Sequence, residues 1–184
     1  MIEMEHKPGL WSPPEGTTAV VVPCSAEVGQ NATMGKGFAL QAKKYWPSIA
    51  RNVGAQFLGI GVIAHSVTRP YITQAQPDGY IGMPVGGGQA GAPVPYHIIS
   101  LPIRTWEDAP IDDNYLTRAV RTLAQLCEGR REEIWWLTKG LIVMPQLNDY
   151  VAKPKRAWAN LTPLVEPWLA DDRYVILTNR STPT

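Results

Sequence analysis

Two glycines around a lysine, Gly35-Lys36-Gly37, stand between a β-branched run and a helical pattern, and these residue types suit contact with an anion. The run Val20-Val21-Val22-Pro23-Cys24-Ser25 reads as a buried strand, the next residues as a polar loop, and Gly37 onward as a helix. A strand–loop–helix junction with glycines at the turn brings backbone N–H groups against a phosphate. Neither common nucleotide motif is matched. The chain has no Gly-x-x-x-x-Gly-Lys-Ser/Thr loop here, and Gly-x-Gly-x-x-Gly lacks its third glycine.

Other reactive side chains are scattered. His65 ends a predicted strand, His97 opens one and His6 is terminal; each reads more readily as a structural histidine than as a catalytic one. Cys24 has no base nearby in sequence and reads as a small buried hydrophobe. No triad, zinc cluster or paired-carboxylate motif is present, and no metal or cofactor is implied. Gly86-Gly87-Gly88 lacks an adjoining strand and helix and reads as a flexible linker. Lys153, Lys155 and Arg156 form a basic stretch that suits either an anionic ligand or water.

The elements that must position these residues follow from composition and pattern. A chain of 184 residues, 45% hydrophobic and 18% charged, fits one globular domain spanning 1–184. A net charge of +1 gives no broad pull toward nucleic acid or membrane. The absence of an apolar signal core or a membrane-spanning run, together with two unpaired-looking cysteines, points to the cytoplasm.

Residues 1–11 suit a short edge strand, and Thr17 to Cys24 a strand buried on both faces. Phe38, Ala42, Tyr45 and Ile49 share one helical face, and Pro47 inside that pattern breaks it into two helical pieces or kinks it. A strand is expected over 57–65, a hairpin excursion or long loop over 69–96, and a strand from His97 to Ile103. Asp113 to Glu128 predicts a helix with an acidic start, packing through Leu116, Val120, Leu123 and Cys127. Apolar runs at 134–137 and 141–144 follow, the second a buried strand. Trp158, Leu161, Val165 and Trp168 then mark a third helix, and Tyr174 to Thr178 a last strand. Strands alternating with helices predict an α/β domain with a mixed central sheet.

The run from Met34-Gly35-Lys36-Gly37-Phe38 to Tyr45-Trp46-Pro47 resembles the first ligand loop and helix of macrodomains. The resemblance is to the branch of the DNA ADP-ribosyl glycohydrolase antitoxins and terminal ADP-ribose hydrolases. Leu141-Ile142-Val143-Met144-Pro145-Gln146-Leu147 resembles the strand leading into the family's second ligand loop. The resemblance implies a three-layer α/β/α macrodomain that binds ADP-ribose or a related nucleotide at the strand ends. The first loop would hold the distal ribose, with Asn31, Met34, Gly35, Lys36, Gly37 and Phe38 as ligand contacts. The second would wrap the diphosphate, with Gln146, Leu147, Asn148 and Tyr150 in contact; Asp149 at its mouth reads equally as a base or nucleophile at the sugar and as a turn-forming or helix-leading aspartate.

Three positions depart from the family. Gly9 is followed by Leu10 where an acidic residue usually reads adenine. Arg104 stands near a lysine of the hydrolase branch, and the second loop is basic and aromatic, where the family's is glycine-rich. The implied activity is hydrolytic release of ADP-ribose from ADP-ribosylated DNA or protein. A non-catalytic ADP-ribose or nucleotide-binding module, an ADP-ribose 1''-phosphate phosphatase and a pocket repurposed for a different ligand are the alternatives.

Overall fold

A computed structural model describes residues 1–5, 10, 12–25, 35–45, 71–73, 97–127 and 140–178. The β-branched run is its centre. Strand β2 (Thr17–Ser25) lies between β5 (Leu141–Pro145) and β4 (His97–Arg104), both parallel to it. With β1 (Ile2–Glu5), β3 (Tyr71–Thr73) and β6 (Tyr174–Thr178) these make a six-stranded sheet ordered β1-β6-β5-β2-β4-β3. β3 is antiparallel to β4 and the other pairs are parallel, so the sheet is mixed.

Side chains alternate across β2 because successive residues of a strand point to opposite faces. Ala19 and Val21 join a core with Ile99, Leu101, Ile142, Met144 and Ile176. That core is covered by helix α2 (Asp113–Cys127) through Leu116, Val120 and Leu123, and by α3 (Trp158–Val165) through Leu161 and Val165. Val20 and Val22 are fully buried outside that cluster, and helix α1 (Gly37–Tyr45) packs on β2 with Ala39 and Ala42 buried. Each fully buried Val, Leu, Ile or Met side chain contributes roughly 1.5–3 kcal/mol by leaving water, and each alanine methyl less. Helices on both faces give the three layers expected.

Local sequence sets the element ends. Asp112 caps α2: its carboxylate accepts the Tyr115 N–H at 2.9 Å, and its carbonyl accepts the Leu116 N–H at 2.9 Å. Helix α3 is shorter than expected. Pro167 has no N–H to offer the carbonyl one turn back, so the helix stops at Val165 and a turn carries the chain on. Leu169 then fills the core, while Trp168, expected on the packed face, is exposed with the Arg121 guanidinium 5.3 Å from its ring centroid. Trp158 is buried, and its indole N–H donates to Glu3 Oε1 at 2.6 Å.

Tyr71–Thr73 lies in the stretch read as an excursion or loop, and it forms the antiparallel edge strand there. Several expectations fall outside the described residues: His6, His65, Ile49, Pro47, the 57–65 strand, Gly86-Gly87-Gly88 and the apolar run at 134–137. No helix among the described residues is long and apolar enough to cross a membrane.

Candidate functional site

The carboxyl ends of β2, β4, β5 and β6 open into a cleft of about 520 Å3. Parallel strands present ligands at this end, and the volume lies in the range of small-molecule sites. Cys24, Ser25, Ile103 and Leu177 line it from the sheet. The β2–β4 register slips at this point: Cys24 pairs with Pro102 and Ser25 with Arg104, so Ile103 is the extra residue of a bulge.

Two loops distant in sequence supply the walls. Lys36, Gly37 and Phe38 line one side, and Gln146, Leu147, Asn148, Tyr150 and Val151 the other. Gly37 opens α1 with φ +54°, a left-handed conformation that costs a glycine little. Gln146 is held where β5 runs out, its N–H donating to the Leu177 carbonyl at 3.1 Å. Tyr150 is 72% exposed beside the cleft. Seven of the residues expected at a ligand are thus gathered in one place. Asn31 and Met34 lie outside the described residues, and Gly35 adjoins the lining without being part of it.

Asp149, expected as a base at the mouth of the second loop, is absent from the lining and fully buried. Its Oδ2 accepts the Ile111 N–H at 2.6 Å, and its Oδ1 accepts those of Val151 at 3.2 Å and Ala152 at 3.3 Å. A side-chain carboxylate that bonds backbone amides two and three residues on is a turn former. The Asp149 and Arg156 backbones also exchange hydrogen bonds at 2.8 and 3.0 Å, which closes the loop.

Arg156 reaches the same neighbour: it donates to the Ile111 carbonyl at 3.3 Å and pairs with Asp113 at 2.6 Å. Ile111 is therefore gripped on its N–H by one end of the loop and on its carbonyl by the other. Arg156 is part of this scaffold, while Lys153 and Lys155 are exposed.

The first loop meets the same connection between β4 and α2 farther upstream. The Gly35 N–H donates to Glu107 Oε1, and the Lys36 ammonium donates to Asp108 Oδ1. The Asp108 hydrogen bond and charge raise the Lys36 pKa, with Glu107 adding to the effect and Arg104 opposing it. Sequence reasoning did not single out Glu107 or Asp108, although Glu107 lines the cleft. Their signal was an acidic pair just past the end of a strand whose carboxyl end faces the site.

Arg104 also lines the cleft, its guanidinium donating to the Ala109 carbonyl at 3.1 Å. Burial pushes the Cys24 thiol up to about 12, against the lowering effect of Arg104. It is a protonated, unreactive thiol at neutral pH, in line with its reading as a small hydrophobe.

No family model matches the chain, and no curated protein matches it in sequence. Solved structures match its fold. The macrodomain of Thermus aquaticus DarG is 16% identical with a TM-score of 0.63, over 97% of each chain. The macrodomain of Mycobacterium tuberculosis DarG is 17% identical with a TM-score of 0.58, over 97% of this chain and 98% of that one. Thermosipho africanus DarTG in complex with ADP-ribose is 13% identical with a TM-score of 0.60, over 96% of this chain and 41% of that one. The chain has the macrodomain fold.

Proposed function

With a macrodomain fold as premise, we propose that the cleft binds ADP-ribose or a close derivative and that the chain hydrolyses it from a macromolecule, ADP-ribosylated DNA or protein. The observation that carries this reading is the meeting of both loops at one cleft of about 520 Å3 over the strand ends. Gly37 and the start of α1 offer close backbone approach on one wall, and Tyr150 offers an aromatic face on the other. Arg104 supplies a cation suited to a diphosphate. The cytoplasm is the compartment we propose, where Cys24 remains a free thiol.

A second reading, capture without turnover, is favoured by one specific feature. Hydrolysis needs a base or nucleophile at the sugar, and the Asp149 carboxylate is already occupied by three backbone amides. Arg104 does not replace it, because a guanidinium is too basic to act as a nucleophile.

Calorimetry with ADP-ribose tests the cleft. Binding with release of ADP-ribose from modified DNA or protein supports the hydrolase, and binding without release supports the capture module. No heat at millimolar ligand removes both.

A further inference from the structure

We propose that Glu107, with Asp108 beside it, sets the specificity of the cleft by closing the Gly35–Gly37 wall to phosphate, so that this wall receives a hydroxyl-bearing, uncharged part of the ligand. The proposal rests on the reading above, in which this wall takes the distal ribose. It assigns the discriminating role to residues outside both ligand loops.

A glycine-flanked helix start is suited to bind phosphate only while its donors face the ligand. Just before that start, the Gly35 N–H is given to Glu107 and the Lys36 ammonium to Asp108, which sets two carboxylates beside the amides that open α1. The carboxylate lies hard against the loop: a Cβ built on Gly35 would sit 2.5 and 2.7 Å from the two Glu107 oxygens. That leaves no place for a phosphate oxygen on the Gly35 amide unless Glu107 moves. Charge points the same way. The Lys36 ammonium is paired with Asp108, and Glu107 adds a second carboxylate beside it, so among the described residues Lys36 is not left to draw an anion there.

What a carboxylate can do at this place follows from its chemistry. Ionised, it accepts hydrogen bonds and donates none. It therefore complements the hydroxyls of a ribose and repels a phosphate set against it, and such like-charge juxtaposition is a strong source of discrimination. Glu107 lines the cleft, so its carboxylate is placed to meet whatever part of the ligand reaches the first loop.

The test compares ADP-ribose with ADP-ribose 1''-phosphate by calorimetry, in the wild type and in Glu107→Gln. The amide keeps an acceptor for the Gly35 N–H and removes the charge. The wild type should bind ADP-ribose at least about tenfold more tightly than the phosphorylated ligand, and Glu107→Gln should narrow the gap to about threefold or less. Equal wild-type affinities, or a gap that Glu107→Gln leaves unchanged, would overturn the proposal while leaving an ADP-ribose site intact.

If neither nucleotide binds, the ADP-ribose reading fails, and inorganic pyrophosphate then decides the electrostatic one. Backbone amide signals of Gly35 and Gly37 should move with pyrophosphate in Glu107→Gln and stay in place in the wild type. Movement in both proteins, or in neither, overturns the role given to Glu107.

Discussion

The loop at Gly35–Gly37 meets the β4–α2 connection through carboxylates standing in water, whereas the loop at 148–156 meets the same connection through a carboxylate with no exposed surface. On the first side Lys36 and Asp108 keep 64% and 77% of their side-chain surface exposed. On the second, Asp149 and Arg156 hold the amide and carbonyl of a single residue, Ile111. An exposed ion pair is screened and replaceable by water, so it contributes little to stability and much to local charge. A buried carboxylate has no such substitute, and its amide partners would be left unpaired without it. One wall is thus an adjustable electrostatic surface and the other a rigid frame.

The largest expected effect comes from breaking the frame. Asp149→Ala removes the acceptor of the Ile111, Val151 and Ala152 amides, and should cost roughly 3 kcal/mol in urea unfolding. Asp149→Asn keeps one carbonyl oxygen and should cost about half as much. Stability unchanged by Asp149→Ala would end the distinction between the walls. Loss of turnover in a variant as stable as the wild type would return Asp149 to a catalytic role.

This contrast also marks how far residues can be read without a fold. The sheet was legible because Val20 to Val22 and Leu141 to Met144 declare burial by type alone. The start of α1 was legible in Gly37, and α2 in its acidic start and the spacing of Leu116, Val120 and Leu123. Asp149 was not, because an aspartate after a strand has the same local sequence whether it faces a ligand or a buried amide. The deciding donor, Ile111, stands 38 residues away. Glu107 was hidden in the same way, since its partner Gly35 is 72 residues distant and both lie in connections without periodicity. Trp168 failed differently: spacing placed it on a helix that Pro167 does not let continue.

A smaller effect should come from the backbone of the first wall. Gly37 sits at φ +54° with nothing within 4 Å of an added Cβ, so substitution there meets conformational strain without a clash. Gly37→Ala should lower stability by about 1 kcal/mol, and Gly37→Asn by less, because asparagine tolerates left-handed backbone. Thermal unfolding of the two variants checks the order. An alanine variant as stable as the wild type would mean that α1 begins without this conformation, and the first wall would lose its fixed point.

The smallest effect sharpens the comparison most, because it changes no residue. Raising salt from about 0.03 M to about 0.5 M shortens the reach of exposed charges to a few ångströms. The Lys36–Asp108 pair and the exposed Gly35–Glu107 bond should loosen, while the buried Ile111–Asp149 bond should not. Amide hydrogen exchange reads the two walls in the same sample. Exchange at Gly35 should quicken severalfold with salt, and exchange at Ile111 should hold its rate. Global stability should stay level, because neither exposed contact supports the core. If Ile111 quickens in step with Gly35, the connection between β4 and α2 moves as one piece, and both walls are then adjustable together.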